Sequence, residues 1–276
     1  MGKGKKKKNG GPTQAEQADR HVLYERAVQE PEADVEFAID TYRNWFGRRP
    51  HVLREDFCGT AAVCRDWVRA HLRNIAWGVD LDLETLNWGT TNNIEPLPKK
   101  ERRRVALVHG DVRTVPTDPA DVVMAQNFSY FLFENRPDLV EYFRGCHAAM
   151  GAEGMLLLDA YGGPESMARM SEETEYDDFS YVWDQDQFDP IRQRATCYIH
   201  FKFPDGSKMK RAFTYEWRMY TIPEVRDALR EAGFDETRVY WEGTDPETEE
   251  GDGVYTEAET ADNDAAWICY IAGFKK

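Results

Sequence analysis

From residue 50 onward the chain alternates short apolar runs with longer amphipathic stretches. The runs fall at residues 51–53, 75–79, 105–109, 121–125 and 155–158, with apolar side chains at helical spacing between successive runs. Strands separated by crossover helices run parallel, so the pattern predicts an α/β fold built on a doubly wound sheet over residues 50–163. Ahead of it, residues 19–49 place Val35, Ile39, Tyr42 and Phe46 at helical spacing, with Pro31 near the start and Gly47 at the stop. These residues read as a helical cover on the main domain.

The rhythm changes after residue 163. Residues 179–219 hold "ATCYIHFKF", a "PDGS" turn and "MKRAFTYEWRMY", which fits an antiparallel hairpin, so 164–220 are expected to form a cap. Alternation resumes over 221–276 with the helix "IPEVRDALREAG" and the strands "TRVYWEG" and "AWICYIAGF". Between those strands, residues 242–264 carry ten acids and no Lys or Arg, and are expected to be a mobile loop.

Composition narrows the possibilities. With 41% hydrophobic residues in a chain of 276, a real core is available. The net charge of -15 hides a basic opening: five lysines fall within the first eight residues, leaving 30 basic against 50 acidic residues elsewhere, or -20. Such a body repels nucleic acid, and residues 1–18 are expected to be a flexible basic tail. The five cysteines are scattered without a C-x-x-C pair, which points to reduced thiols and no metal site. No apolar run is long enough to span a membrane, and the expectation is a soluble cytoplasmic protein. Oligomeric state is left open.

Chemistry enters at "REDFCGTA", residues 54–61. An apolar run breaks there into a small-residue turn followed by a helix over 62–72, a layout that brings backbone N–H groups close to a ligand. Asp80 ends the second run 21 residues beyond Gly59, the spacing at which an acid accepts from ribose hydroxyls. The third run adds "VHGDV", placing Asp111 beside an adenine edge, and the fourth opens with Asp121. A nicotinamide site would want G-x-G-x-x-G and a P-loop would want G-K-[ST]; neither is present.

With these four motifs in order, the chain resembles the class I S-adenosylmethionine-dependent methyltransferases over residues 50–160, with the sheet completed by 221–273. The resemblance implies a Rossmann-like, mostly parallel sheet with an antiparallel last strand, and S-adenosylmethionine as donor with S-adenosylhomocysteine as product. Carried over by position, Glu55 matches the acid that helps fix the methionine amino end, and Phe57, Cys58, Gly59 and Ala61 match the glycine turn. Asp80 matches the ribose acid, Leu81 the apolar residue under the adenine, and Asp111 with Val112 the pair that reads adenine N6 and N1. Asn127 falls where sulfonium and acceptor meet, and Tyr24 matches an N-terminal aromatic that folds over the cofactor. Two of the family's three alternating glycines are replaced, by Phe57 and Ala61. A phenylalanine at positive φ is costly, so the turn is expected to keep Phe57 in an ordinary backbone region.

Methyl transfer is an in-line displacement, and a base is needed only when the acceptor must lose a proton. "NFSY", residues 127–130, invites comparison with the N-P-P-Y motif of amino-methylating nucleic-acid enzymes, but both prolines are missing. The cap supplies Tyr181, Trp183, Tyr198, Tyr215 and Trp217 as aromatic walls. Asn127, Tyr130, His200 as a base and Arg218 as a carboxylate contact are the acceptor-side candidates. The expected partner is a small-molecule amine or hydroxyl. The alternatives are an RNA or protein methyltransferase and a non-catalytic protein that binds the donor or its product.

Overall fold

A computed structural model describes residues 11–247 and 251–276. Residues 1–10, which hold the lysine run of the expected basic tail, and residues 248–250 of the acidic segment lie outside the described residues. The rest of the expected tail is not free. Thr13 and Glu16 form a capping box on helix α1 (Gln14–Gln17), whose Gln14 N–H donates to Asp205 at 2.8 Å.

Two further helices complete the cover. Asp19 caps α2 (Arg20–Val28) by accepting from the N–H groups of His21 and Val22. Pro31 opens α3 (Pro31–Phe46), which ends at Gly47 in the left-handed region and buries Val35, Ala38, Ile39 and Tyr42.

The main body alternates β1 (Val52–Asp56), α4 (Ala62–Ala70), β2 (Ile75–Asp80), α5 (Leu83–Gly89), a π-helical turn (Thr90–Ile94), α6 (Lys99–Arg102), β3 (Val105–His109), β4 (Ala120–Ala125), α7 (Arg136–Ala149) and β5 (Met150–Gly162). Strands β1 to β5 pair in parallel in the order β3-β2-β1-β4-β5. The first strand runs further than its apolar residues suggest: Arg54, Glu55 and Asp56 belong to it, and all three are buried.

After β5 the chain builds a second, antiparallel sheet from β6 (Met170–Glu175), β7 (Ser180–Asp189), β8 (Arg194–Lys202) and β9 (Lys208–Arg218). The expected hairpin is its β8–β9 half, turned by Phe203–Ser207 with Gly206 at φ 82°. A capping box at Thr221 and Glu224 starts α8 (Ile222–Ala232), and Gly233 stops it. Strands β10 (Glu236–Thr244) and β12 (Trp267–Lys275) then return to the main sheet, with β12 inserted antiparallel between β5 and β10. The antiparallel last strand is therefore present.

The acidic segment departs from expectation. Residues 251–257 form β11 (Gly251–Glu257), which pairs antiparallel with β10 and extends the sheet edge. Both of its faces are largely wet, so strand hydrogen bonds form without the apolar alternation that would have announced them. The two faces of the main sheet carry two hydrophobic clusters, one under α7 and α8 and one under α3 and α4, while a third joins α2 to the cap.

Candidate functional site

Strand order reverses between β1 and β4, and the crevice outside the carboxyl ends of such strands is where open α/β sheets take ligands. Here the turn after β1 lines it. Phe57, Gly59 and Ala61 all adopt the left-handed conformation, at φ 57°, 52° and 61°. The expectation for Phe57 is thus overturned. The turn keeps the backbone that three glycines would give, and the ring is held by packing near Tyr142 (5.6 Å between centroids) and Phe133 (6.1 Å).

Hydrogen bonds fix the turn to the neighbouring strand. The Gly59 N–H donates to Asp80 Oδ2 at 2.8 Å, and the Cys58 N–H donates to the Val79 carbonyl at 3.1 Å. Asp80 Oδ1 accepts from the Asp82 N–H at 2.8 Å, so the carboxylate is aimed across the ends of β1 and β2 with lone pairs to spare. A Cβ on Gly59 would meet only Thr85 Cγ2, at 3.9 Å, so the backbone there faces open space. A Cβ on Gly89 would lie 2.3 Å from the Thr60 carbonyl, so glycine is what lets α5 press against the turn.

Three carboxylates, from β1, β5 and α3, lie within electrostatic reach of one another, Asp34 acting on both of the others. Glu55 is 6% exposed and accepts the Cys64 N–H at 2.9 Å. Burial pushes its carboxyl up to about 8, with Asp80 and Asp34 adding repulsion. Asp159, at the end of β5, is 8% exposed, and burial pushes it up to about 7 against the pull of its backbone hydrogen bonds. Asp34, from the first turn of α3, accepts from Tyr270 Oη at 2.6 Å and is raised by burial.

Helix α2 reaches over them. Glu25 Oε1 accepts from Thr60 Oγ1 at 2.6 Å and Asn93 Nδ2 at 2.7 Å, and Asn93 Nδ2 also donates to the Thr60 carbonyl at 2.9 Å. Asp19 accepts from Trp88 Nε1 at 2.6 Å. On its other side, Tyr24 packs on Phe213 (4.7 Å), and Arg26 pairs with Asp178 at 2.7 Å. Tyr24 lies within the field of Asp159 and beside Tyr215, and burial pushes its hydroxyl up to about 12. The helix therefore bridges the β1 turn and the antiparallel sheet.

The remaining expected positions divide. Leu81 is 69% exposed beyond β2. Asp111 is gripped by Arg113 at 2.6 Å, which holds its carboxyl below the usual range. Val112 is buried, and its carbonyl accepts from the Arg54 guanidinium, which also pairs with Asp56 at 2.6 Å inside the protein. The Arg54 bond to Val112 ties β1 to the loop after β3. Asn127 lies two residues beyond β4, and its backbone N–H donates to Asp159 at 2.7 Å.

Three acceptor-side expectations fail on position. Tyr130 is 0% exposed, in the core with Phe131 and Phe143, because the turn Ser129–Leu132 points it inward; no acceptor reaches it. His200 sits on the face of β8 opposite Ala195, Cys197, Ile199 and Phe201, bonded to Asp184 and to the Arg211 N–H. Strand alternation turns it away from the crevice. Arg218 donates to the Glu134 carbonyl at 3.1 Å, pairs with Glu224 at 3.4 Å and stacks on Tyr220, clasping the cap to α8. The neighbouring Glu216 pairs with Arg194.

The sequence reading passed over Asp159, although "LLLDAYGG" ends an apolar run in an acid just as "GVD" does at Asp80. Asp34 and Glu25 carried no such signal, since an acid early in a helix or on its surface is ordinary.

No protein-family model matches the chain, and no curated protein matches its sequence. Its fold is that of class I methyltransferases. It is similar to an S-adenosylmethionine-dependent methyltransferase from Clostridium acetobutylicum at 16% identity and a TM-score of 0.66, over 93% of this chain and 97% of that one. An amino pentose methyltransferase from Micromonospora echinaspora, solved with S-adenosylmethionine bound, matches at 16% identity and 0.65, covering 92% and 95%. A sugar N-methyltransferase from a Streptoalloteichus species matches at 13% and 0.62, covering 100% and 99%.

Proposed function

We propose that the protein is an S-adenosylmethionine-dependent methyltransferase acting on a small-molecule amine. The observation that carries this reading is Asp80, tied to the Gly59 N–H at 2.8 Å beside open space, at the point where the strand order reverses. The residues fit the donor. Asp80 would accept the ribose hydroxyls, Leu81 would lie against the adenine, Asp111 and Val112 would meet its edge, and Phe57, Cys58, Gly59 and Ala61 would bend the backbone round the amino-acid tail. Glu55 would face the ammonium end, and Tyr24 would close over the crevice from α2. Bound there, S-adenosylmethionine supplies a methyl group on a sulfonium.

The chain's own part is to orient the acceptor and exclude water. Asn127, just beyond β4, would stand beside the transfer point. Carboxylates Asp34 and Asp159 with the rings of Tyr24, Tyr215 and Tyr270 suit an amine, which attacks with its own lone pair. With His200 turned outward, the base that a hydroxyl acceptor would need is not where it was expected. The neighbours named as sugar and amino pentose methyltransferases favour the same acceptor class. The acidic body disfavours RNA.

Isothermal titration with S-adenosylhomocysteine tests the donor side. Wild type is expected to bind it, and Asp80→Ala to weaken binding at least about tenfold through the lost charge-assisted hydrogen bonds. Methyl transfer to a panel of amines and alcohols tests the acceptor side. Tight binding with no turnover on any of them would support the non-catalytic reading instead.

A further inference from the structure

Two consecutive non-glycine residues in the left-handed region are unusual, and this chain places them where β4 ends: Asn127 at φ 57° and Phe128 at φ 55°. Their backbone N–H groups converge on one side chain. Asp159 Oδ2 accepts from Asn127 at 2.7 Å and Oδ1 accepts from Phe128 at 2.8 Å, so each carboxylate oxygen takes one amide. Strand pairing makes this possible, because Ala125 lies opposite Leu158 and the next residues meet at the carboxyl end of β4. The turn so held sets the Phe128 ring against Tyr161 (4.9 Å) and Trp217 (5.8 Å), where the cap meets the main sheet.

We propose that Asp159 is the positioning residue of the acceptor side: its ionised carboxylate clamps the Asn127–Phe128 turn and through it the wall of Phe128, Tyr161 and Trp217 that orients the acceptor. The proposal rests on the methyltransferase reading of the crevice. The groups facing Asp159 are Asp34 from α3, Tyr24 from α2, Tyr255 from β11, Cys269 and Tyr270 from β12, and Tyr130 from the turn after β4. None of these is a cation, and Asp34 repels the ionised form. With its carboxyl pushed up to about 7, the clamp is charged above that pH; below it, one oxygen becomes an O–H and the grip slackens.

Hydrogen exchange over residues 126–131 of the full chain, corrected for the intrinsic pH dependence of exchange, tests this beside titration of S-adenosylhomocysteine. Wild-type protection is expected to fall about tenfold as the pH drops through 7, whereas Asp159→Asn, which offers an N–H₂ where an amide needs an acceptor, should be poorly protected at every pH. With an amine that turns over, its kcat should fall and lose its acid limb. Wild-type protection that is flat through pH 7, or a variant as protected as wild type above it, overturns the proposal. If the variant does not fold, the wild-type profile alone decides. Failure of wild type to bind the product, with its exchange profile as expected, overturns the methyltransferase reading and with it the acceptor role of the clamp.

Discussion

At the scale of single residues, Phe57 shows backbone geometry being retained without the residue that makes it easy. A left-handed residue with a side chain costs about 1–2 kcal/mol, and burying part of a phenylalanine ring returns a similar amount. Removing the ring while keeping a Cβ should therefore hurt more than removing both. Phe57→Ala is expected to be less stable than Phe57→Gly by about 1 kcal/mol in urea unfolding, and the reverse order would contradict the strain argument. Glu55 gives a second residue-level test. Its folded value of about 8 lies above the 4.5 of the unfolded chain, so the folded state holds a proton that the unfolded chain releases. This contribution is fully present below 4.5 and is lost as the pH rises to about 8. The unliganded wild type should thus lose on the order of 5 kcal/mol from this group across that window. In Glu55→Gln the fall in melting temperature over the same range should shrink by roughly 10 °C. An equal fall in both proteins would show that the carboxyl is not held neutral.

Among the elements, α2 bridges the β1 turn and the antiparallel sheet, and Glu25 is what ties it to that turn. Glu25 holds Thr60 in the β1 turn and Asn93 in the π-helical turn, while the far side of the helix packs on the cap. Such irregular helical turns recur at functional sites. Glu25→Ala should speed dissociation of S-adenosylhomocysteine by about tenfold with little change in its association rate, as read by stopped flow; an unaltered dissociation rate would mean that the helix is an anchor and not a cover. Elements also explain what the sequence displayed. Strands β4 and β5 were legible because burial on both faces demands near-continuous apolar runs. The edge strand β6, with Ser171, Glu172, Glu173, Thr174 and Glu175 all exposed, and the acidic β11 carry no such mark. Asp80 and the β1 turn were legible because a small-residue turn with an acid 21 residues beyond Gly59 is a recognisable spacing. The failure at Tyr130 and His200 has the opposite cause: which way a side chain points after a turn or across a strand depends on partners distant in the chain.

At the scale of the whole molecule, two sheets and a helical cover surround one crevice. The main sheet and its first turn carry Glu55, Gly59, Asp80 and Asp159, while α2 and the antiparallel sheet bring Tyr24, Phe213 and Tyr215 together. All five cysteines are free and buried, and among the described residues no helix is long and apolar enough to cross a membrane. The charge of the molecule is lopsided toward acid, which suits a cationic ligand better than a polyanion. The most direct test of the central claim is a crystal structure with S-adenosylhomocysteine. It should place the ribose hydroxyls within hydrogen-bond distance of Asp80 and the amino-acid tail over the bend at Gly59. A product bound elsewhere, or a crevice filled by the protein's own side chains, would contradict it.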